Sequence, residues 1–466
     1  MNRIIPLVLA VALFMENMDA TVIATSLPAI AADIGADPIS LKLALTAYFV
    51  ALAIFIPASG WVADRFGTKR VFRVAILVFV LGSIACAFAD SLLTFVMARF
   101  LQGVGGSMMT PLARLVLVRT TPRNALVAAM AWLTIPAMIG PLTGPPLGGF
   151  LTTFLSWHWI FWINVPIGLA GIVLVTKYLP ADEGRTARPF DLPGLVLAAI
   201  CFAGIMFGVS VVSLPAIPPA AGYAAIATGL ISGALYLRHA RRAAYPILDP
   251  KLLRLPIFRN ALMGNSLHRL GIGALPFLMP LMLQLVFGLT PFESGMITFA
   301  AAGGALISKF LAGRFFALVG FRNALIATAV IGSLLIGFYA FLPPGTPMWV
   351  FIASLFVGGI VRSFFFTGSN AFVFADVDEP NASQATAINS VAQQLSIAGG
   401  VAVGGTVLEL ASSTHAGGLQ FSDFQVSWIV VMLVSLLSAL PFLRLPADAG
   451  SNVSGHRIAK VERDDP

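Results

Sequence analysis

The chain has 466 residues, of which 58% are hydrophobic and only 10% charged, and its mean hydropathy is +0.92. Soluble globular domains carry about 25% charged residues, so this composition excludes a water-soluble monomer. It indicates an integral membrane protein, because an exterior that faces lipid needs no charged shell, and the apolar segments described next, each long enough for a membrane helix, predict an all-α fold. The net charge of +8 does not indicate nucleic-acid binding, since the basic residues are distributed by membrane side.

Fourteen apolar segments follow one another along the chain, separated by short loops that contain Pro, Gly, Asp and Asn. A bilayer core of roughly 30 Å needs about 20 apolar residues per helix. We predict membrane helices near 4–29, 40–61, 71–90, 92–118, 125–150, 158–178, 192–212, 219–238, 258–287, 292–313, 323–342, 347–370, 383–410 and 426–445. The sequence therefore predicts fourteen transmembrane helices.

Basic residues are concentrated in alternate loops. The loops after the second, fourth, sixth, eighth and tenth segments are rich in Lys and Arg, whereas the opposite loops hold one basic residue, Lys42, and several acids. Basic loops remain in the cytoplasm during insertion. We therefore expect both termini to be cytoplasmic, in a cell membrane that we take to be the bacterial inner membrane.

The first predicted span carries two carboxylates, Glu16 and Asp19, near its middle. A charge at the bilayer centre costs on the order of 3 kcal/mol, so it faces a wet cavity or a partner. The two acids are three residues apart and share one helix face, and Arg99 in the fourth span is predicted at a similar depth. One interpretation is a structural ion pair. The other, which we favour, is a site that takes up and releases a proton or meets a cationic substrate, with Asp19 ahead of Glu16.

Polar residues also interrupt the predicted spans of the second half. His268 and Arg269 are adjacent and point about 100° apart, and Arg362 has no carboxylate near it in the sequence. A lone histidine in a helix is as often a packed residue as a functional one, and phenylalanines usually face lipid or the protein core. The residues that we assign to a candidate substrate cavity are Gln102, Asn265, His268, Arg269, Arg362, Phe366 and Asn370.

The loop "GWVADRFGTKR", residues 60–70, joins the second and third spans. Asp64 precedes a predicted helix, where an anion suits the positive end of the helix dipole. The basic residues can bind acids or helix C-termini of the other half of the molecule; the alternative is a simple topology signal. We expect a cytoplasmic gate made of Gly60, Asp64, Arg65, Gly67, Lys69 and Arg70.

Two further strings suggest helix contacts and an internal repeat. "GPLTGPPLGGF", residues 140–150, is dense in small residues that allow close helix packing in lipid. "GRFFALVGFRN", residues 313–323, resembles the loop at 60–70 in its position and in its Gly and Arg spacing. Two related halves with charges inside their helices are typical of a secondary transporter.

At these strings the sequence resembles the major facilitator superfamily and, within it, the fourteen-helix drug:proton antiporters. The loop motif G-x-x-x-D-R-x-G-R-[KR]-[KR] is present at residues 60–70, with Thr68 where the family has arginine. The fourth-helix motif R-x-x-Q-G-x-G begins at Arg99. The fifth-helix antiporter motif G-x-x-x-G-P-x-x-G-G matches at Gly140, Gly144, Pro145, Gly148 and Gly149.

The resemblance implies a major facilitator fold of two six-helix halves with two extra central helices. We accordingly expect an N-terminal half at 1–180, inserted helices and a basic linker at 181–255, a C-terminal half at 256–446 and a cytoplasmic tail at 447–466. It also implies outward transport driven by inward proton flow, with Asp19 in proton handling and Arg99 as its relay partner. The buried charges lead us to add Glu16 to the proton-coupling set. A cavity expected to be rich in Phe and Met, with Glu16 and Asp19 as its clearest charges, favours small amphipathic substrates, lipophilic cations first. The alternative is a proton-coupled exporter or importer of a specific metabolite, such as an amino acid or another anionic or zwitterionic solute.

A membrane enzyme or sensor is the remaining class, but no nucleophile triad, metal cluster or phosphate loop is apparent in the sequence. We expect a transporter without enzymatic activity, cofactor or metal. Its expected partners are a small-molecule substrate, protons and the lipid bilayer, without nucleic acid, and the chain is expected to be a monomer.

Overall fold

The structure is a computed structural model that describes residues 4–122, 125–180, 189–215, 217–378, 381–415 and 418–445. Fourteen principal helices lie within these residues. In chain order they are α1 (Ile4–Val22), α2 (Lys42–Phe55), α3 (Thr68–Ala87), α4 (Leu92–Thr120), α5 (Leu126–Phe154), α6 (Asn164–Tyr178), α7 (Leu192–Val212), α8 (Pro219–Ala240), α9 (Pro256–Leu285), α10 (Pro291–Val319), α11 (Phe321–Phe338), α12 (Met348–Phe372), α13 (Ala382–Ser412) and α14 (Phe421–Leu436).

Thirteen stretches of the described chain are long and apolar enough to cross a membrane. The fourteenth predicted span is α5, a helix of 29 residues that contains four prolines. A membrane helix tolerates prolines because neighbouring helices can satisfy the freed backbone groups. The predicted all-α membrane architecture is thus confirmed, and the chain is a multi-pass membrane protein.

The first span differs from its prediction at its far end. After α1 the chain makes a 3-10 turn at Ile23–Ser26 and then continues as a second helix, Leu27–Asp33. Pro28 lies in the first turn of that second helix, where its missing N–H costs nothing. The membrane segment therefore runs to Asp33 rather than to residue 29, with a local break beside the polar residues of the span.

Each half of the molecule has its own apolar core, and a further core joins the two halves. One core lies within α1–α6 and includes Phe72 and Phe79, and another lies within α9–α14 and includes Phe258 and Phe365. A third core contains residues of both halves. The domain boundaries expected from the sequence remain predictions, and the tail at 447–466 lies outside the described residues.

The internal repeat has a structural counterpart in two glycines. Gly67 ends the short helix Ser59–Phe66 before α3, with φ of 83° and ψ of 138°. Gly320 separates α10 from α11 with φ of 76° and ψ of 155°. A residue with a Cβ is strained in this region, so glycine is required at both turns. The same sharp reversal therefore occurs in each half at the position that the sequence repeat predicts.

The inserted helices α7 and α8 form a closely packed pair. A Cβ at Gly204 would lie 2.8 Å from the carbonyl oxygen of Ala225, and one at Gly229 would lie 2.8 Å from the amide nitrogen of Ile205. Such contacts allow the two backbones to approach each other in lipid. Helix α7 also contacts α2 and α13, so the pair is attached to both halves.

The halves are bonded to each other at one side of the molecule. We call the side that carries Arg65, Arg119 and Arg254 the basic side. At the opposite side, Gln284 of α9 donates a hydrogen bond of 2.9 Å to the carbonyl of Thr25. The backbone N–H of Phe292 in α10 donates to the hydroxyl of Thr153 at 3.1 Å. These contacts join helices of the two halves at the end away from the basic loops.

Candidate functional site

Asp19 is the centre of a buried polar network in the first half. Its carboxylate accepts hydrogen bonds from Arg99 Nη1 at 2.7 Å, Gln102 Nε2 at 2.8 Å and Asn164 Nδ2 at 2.8 Å. Asp19 and Arg99 are both fully buried. The helices α1, α4 and α6 thus bring one anion, one cation and two amides together inside the half. The expected pairing of Asp19 with Arg99 is present in the structure, and its role in proton coupling stays a prediction.

Arg99 is held by more than its carboxylate partner. Its Nη1 also donates to Gln102 Oε1 at 2.6 Å, and its guanidinium lies 4.4 Å from the centre of the Tyr48 ring. The Nε atom of Arg99 is enclosed and makes no hydrogen bond within the described part of the chain. The cation therefore depends on Asp19 for charge compensation and on Tyr48 for a favourable aromatic face.

Gly103 of the fourth-helix motif and Gly82 of α3 explain how Gln102 reaches Asp19. A Cβ at Gly103 would lie 2.6 Å from the carbonyl oxygen of Tyr48 in α2, and one at Gly82 of α3 would lie 2.6 Å from the Cα of Gln102. Larger residues would force these helices apart. The motif therefore sets the interhelical distances on which the hydrogen bonds to Asp19 depend.

Glu16 lies one turn from Asp19, toward the basic side, and has a different environment. Its carboxylate accepts a hydrogen bond of 3.0 Å from the Thr110 hydroxyl, and its side chain is nearly buried. It forms no ion pair with a basic residue in the described part of the chain. The two acids of α1 therefore differ in their partners: Asp19 is bonded to the cation Arg99, whereas Glu16 is bonded to the Thr110 hydroxyl.

His268 is the corresponding buried polar residue of the second half. Its ring is fully buried, lies 3.9 Å from the Phe365 ring, and places Nδ1 at 3.4 Å from the Ser435 hydroxyl. The Nε2 atom is enclosed without a hydrogen-bond partner among the described residues. The structure places His268 inside its own half, packed between α9, α12 and α14, although the sequence pattern suggested the substrate cavity.

Arg269 points in another direction. Its Nε donates to Asn265 Oδ1 at 3.1 Å, and its guanidinium lies 4.1 Å from the centre of the Phe366 ring. Asn265 also accepts a hydrogen bond of 3.3 Å from the Ser369 hydroxyl. Asn370, one turn beyond Phe366, is exposed and accepts a hydrogen bond of 3.3 Å from Gln393 Nε2. Four of the predicted cavity residues, Asn265, Arg269, Phe366 and Asn370, therefore lie along neighbouring faces of α9 and α12.

Arg362 lies apart from this group. It lines a small cavity within the second half together with Leu275 of α9 and with Gly332 and Tyr339 of α11 and its extension. No carboxylate pairs with it in the part of the chain that the structure describes. Arg362 is thus a cation inside the second half, next to the phenol ring of Tyr339.

The expected gate at residues 60–70 is bonded within its own half. Asp64 forms an ion pair with Arg119 at the end of α4, and Lys69 Nζ donates to the carbonyl of Leu179, just after α6, at 2.7 Å. We expected the basic residues to reach acids or helix ends of the other half; this Lys69 bond stays within the first half, and contact with the other half stays a prediction. Unpaired carbonyls at the end of α6 lie close to the start of α3, so the lysine binds the nearest helix terminus. Arg65 and Arg70 are exposed, Gly60 is open, and Gly67 forms the turn described above.

Glycines of α5 allow this helix to pack closely against α1. A Cβ at Gly140 would lie 2.7 Å from the carbonyl oxygen of Phe14, and Gly144 and Gly148 face Thr21 and Val22. Gly149 instead contacts Pro291 of α10, in the other half. Pro145 contributes a carbonyl that accepts a hydrogen bond from Thr25 at 3.5 Å. The motif therefore places α5 between the helix that carries Asp19 and the opposite half.

A buried ion pair between the halves was missed by the sequence argument. Lys42 Nζ lies 2.6 Å from Glu409 Oε2, and Lys42 is fully buried at the side opposite the basic side. Ser213, at the end of α7, accepts from Lys42 at 2.8 Å and donates to Glu409 at 2.9 Å. The signal available was the presence of Lys42 as the one basic residue of its side, at the start of an apolar helix.

The class of protein that this fold and site define is a polytopic membrane transporter with two related halves and a buried charge pair. The chain belongs to the major facilitator superfamily, whose family model matches residues 9–242 and 261–460. The family predicted from the motifs is thus confirmed, and with it the two six-helix halves and the two extra helices.

Named relatives and solved structures resemble this chain over most of its length. The chain is 35% identical over 444 residues to the putative multidrug resistance protein MdtD of Pectobacterium atrosepticum, covering 95% of each chain. It is 34% identical over 459 residues to the protein of the same name from Escherichia coli, covering 96% of this chain and 95% of the relative. A D-xylose-proton symporter structure aligns with a TM-score of 0.68 at 15% identity, over 95% of this chain and 98% of that chain. A peptide transporter of the POT family aligns with a TM-score of 0.69 at 15% identity, over 100% and 99%. At these identities the solved structures show the fold alone.

Proposed function

We propose that the chain is a proton-coupled exporter of small amphipathic organic compounds. The observation that carries this proposal is the fully buried Asp19 carboxylate, which accepts hydrogen bonds from Arg99 and from two amides inside the membrane-spanning part of the first half. An ionisable group at this depth in a membrane protein is a functional site by default.

The geometry supports coupling between protonation and a change of shape. Protonation of Asp19 removes the charge that compensates Arg99, and an uncompensated buried cation costs several kcal/mol. The network must then rearrange, so uptake of a proton favours a different arrangement of α1, α4 and α6. A ligand or proton shifts a conformational equilibrium only through such differential interactions.

Glu16 is a second acid on the proposed path of protons between the basic side and Asp19. It lies one turn nearer the basic side, and its hydroxyl partner Thr110 is partly exposed. We assign to it the first contact with protons or with a cationic group that arrives from that side. The assignment of the coupling proton to Asp19 rather than Glu16 rests on the difference in their partners.

The outward direction is supported by similarity. The relatives from Pectobacterium atrosepticum and Escherichia coli are called putative multidrug resistance proteins, and the α5 motif resembles that of antiporters. We propose the bacterial inner membrane as the location, with the basic side and both termini in the cytoplasm. The proposed partners are the substrate, protons and lipid, and the proposed unit is a monomer. Lipophilic cations remain the first expectation from the sequence. Arg269 and Arg362, which have no acid partner among the described residues, favour the anionic alternative.

The proposal is tested with purified protein in liposomes that contain a pH-sensitive dye. Compounds from a panel of lipophilic cations, neutral drugs and organic anions are added, and proton movement driven by each compound is recorded. We expect Asp19→Asn to abolish this proton movement while the protein still inserts and remains monodisperse. Asp33→Asn is the matched control, because Asp33 ends the same span, is exposed and bonds only Trp157 and His158 among the described residues. A parent that shows no proton movement with any compound, or an Asp19→Asn variant with the parental rate, contradicts the proposal.

A further inference from the structure

Arg269 carries a positive charge inside the membrane-spanning region without an acid to compensate it. No carboxylate lies within ion-pair distance of it in the part of the chain that the structure describes. Among the described residues, Arg269 makes one hydrogen bond, from Nε to Asn265, and its two terminal nitrogens make none. Neither terminal nitrogen is enclosed by the protein. The residue is partly exposed. The donors of its guanidinium fork are therefore open to a molecule that enters from outside the half.

The orientation of Arg269 follows from the packing of α9. Gly264 lies against the ring of Phe442, and a Cβ at Gly271 would lie 2.6 Å from the hydroxyl of Ser435, so this face of α9 points into its own half. Arg269 is five residues after Gly264 and two before Gly271, which places it roughly 140° and 160° away from them at about 100° per residue. Arg269 thus lies on the opposite face of α9, which is turned away from the interior of the second half.

The surroundings of Arg269 hold it in place and add polar and apolar contacts. The Phe366 ring supports the guanidinium from one side, and the Asn265 amide fixes its Nε. Asn370 and Gln393, which bond to each other near the same face of α12, present amide groups of which Asn370 is exposed. A fixed guanidinium next to an aromatic ring and neutral amides is a suitable site for a planar anion, because guanidinium matches carboxylate in a two-point contact.

We propose that Arg269 binds the carboxylate of the transported compound, which is therefore an organic anion with an apolar body. This inference rests on the proposed function, since it names the cargo of that transporter. In the first half, Asp19 is neutralised by Arg99 and offers no free charge to a cation, and Glu16 is bonded to the Thr110 hydroxyl nearer the basic side. In the second half, Arg269 is a charge that repels cations and attracts carboxylates. Binding of the anion compensates the arginine and removes the cost of leaving it unpaired in a poorly hydrated site.

The experiment compares three compounds that share one apolar body. The full chain is purified in detergent micelles, and binding of 2-naphthoate, 2-naphthamide and 2-naphthylmethylammonium is measured by titration calorimetry at neutral pH. We expect the parent to bind the carboxylate at least about tenfold more tightly than the neutral amide, as hydrogen bonds to a charged group imply. We expect Arg269→Gln to remove this preference, and Arg269→Lys to keep part of it because the charge remains but the two-point contact is lost. Arg254→Gln is the matched control, since Arg254 is exposed on the basic side, and we expect it to bind as the parent does.

Several results would overturn the inference. One is a parent that binds the carboxylate no more tightly than the amide or the ammonium compound; another is an Arg269→Gln variant that keeps the full parental preference. If Arg269→Gln fails to fold, the Arg269→Lys variant decides, because an unchanged preference there contradicts the two-point contact. Binding is measured without a proton gradient, so its failure is separate from that of the proposed function. If proton coupling in liposomes is absent, the Arg269-dependent preference for the carboxylate can still be observed. If that binding preference is absent, proton coupling can still be observed.

Discussion

The interiors of the two halves share a scaffold and differ in charge. In the first half, Asn164 of α6 donates to the hydroxyl of Ser83 in α3 at 3.0 Å and to the Asp19 carboxylate at 2.8 Å. In the second half, Ser333 of α11 donates to Ser435 of α14 at 2.8 Å, and Ser435 lies beside His268. The third and sixth helices of each half are thus bonded at the same place, next to a buried titratable residue of the first helix.

The two halves differ in the buried titratable residue at this position, which is Asp19 in the first half and His268 in the second. Asp19 is paired with Arg99, so a proton added to one member alters the charge balance of the whole network. His268 has a hydroxyl and an aromatic ring for neighbours and no acid within ion-pair distance among the described residues. This difference supports our proposal that proton chemistry belongs to the first half. In the second half, Arg269 and Arg362 have no acid partner among the described residues and are available for a ligand or for local structure.

The largest effect is expected from removing the cation of the first half. Arg99→Met leaves Asp19 buried without its counter-charge, and breaking a buried ion pair costs about 3–5 kcal/mol of the free energy of unfolding. Equilibrium unfolding in mixed micelles measures this loss. The double variant Arg99→Met with Asp19→Asn is the control and should recover part of the stability; an Arg99→Met variant that is as stable as the parent would contradict this account.

An intermediate effect is expected where the two halves meet. Glu409→Gln removes the charge that compensates the fully buried Lys42, and we expect a loss of about 3 kcal/mol, the lower end for a buried pair, since Ser213 still accepts from the lysine. The variant should also populate a state that is open at the side opposite the basic side, which labelling of introduced cysteines from that side measures. Ser213→Ala is the milder companion variant. If Glu409→Gln and the parent are labelled equally, the ion pair does not hold the halves together.

The smallest effect on the free energy of unfolding is expected from replacing His268, the buried histidine of the second half. His268→Gln removes one long contact to Ser435 and no ion pair, so the cost should be about 1 kcal/mol, as for a single neutral hydrogen bond. Proton movement in liposomes should remain at the parental rate, in contrast to Asp19→Asn. A His268→Gln variant that folds but has lost proton coupling would show that both halves take part in proton transfer. This result would contradict the assignment of proton chemistry to the first half.

The sequence predicted several elements of the site well because they depend on local rules. The fourteen spans follow from apolar length, and the polar residues inside them are conspicuous because each is costly in lipid. The pairing of Asp19 with Arg99 could be anticipated from their similar depth in two spans. The glycine repeat at Gly67 and Gly320 was also visible, since both turns need a residue without a Cβ.

Other features could not be predicted from the pattern. Periodicity places His268 and Arg269 about 100° apart but does not say which of them faces the interior of the half. Lys69 was expected to contact the other half, and its hydrogen bond to the Leu179 carbonyl lies within the first half. In both cases the missing information is which neighbouring helix lies against which face.

The sequence by itself therefore determined the membrane class, the number of spans, the family and the position of the buried charges along the chain. Each of these depends on composition or on spacing along the chain. Only the tertiary structure decided that Lys42 meets Glu409, 367 residues away, with Ser213 of an inserted helix between them. It also decided that Arg269 is turned away from the interior of its half. Contacts of this kind depend on how helices pack, and packing distances of a few ångströms are set by the glycines and side chains of several helices at once.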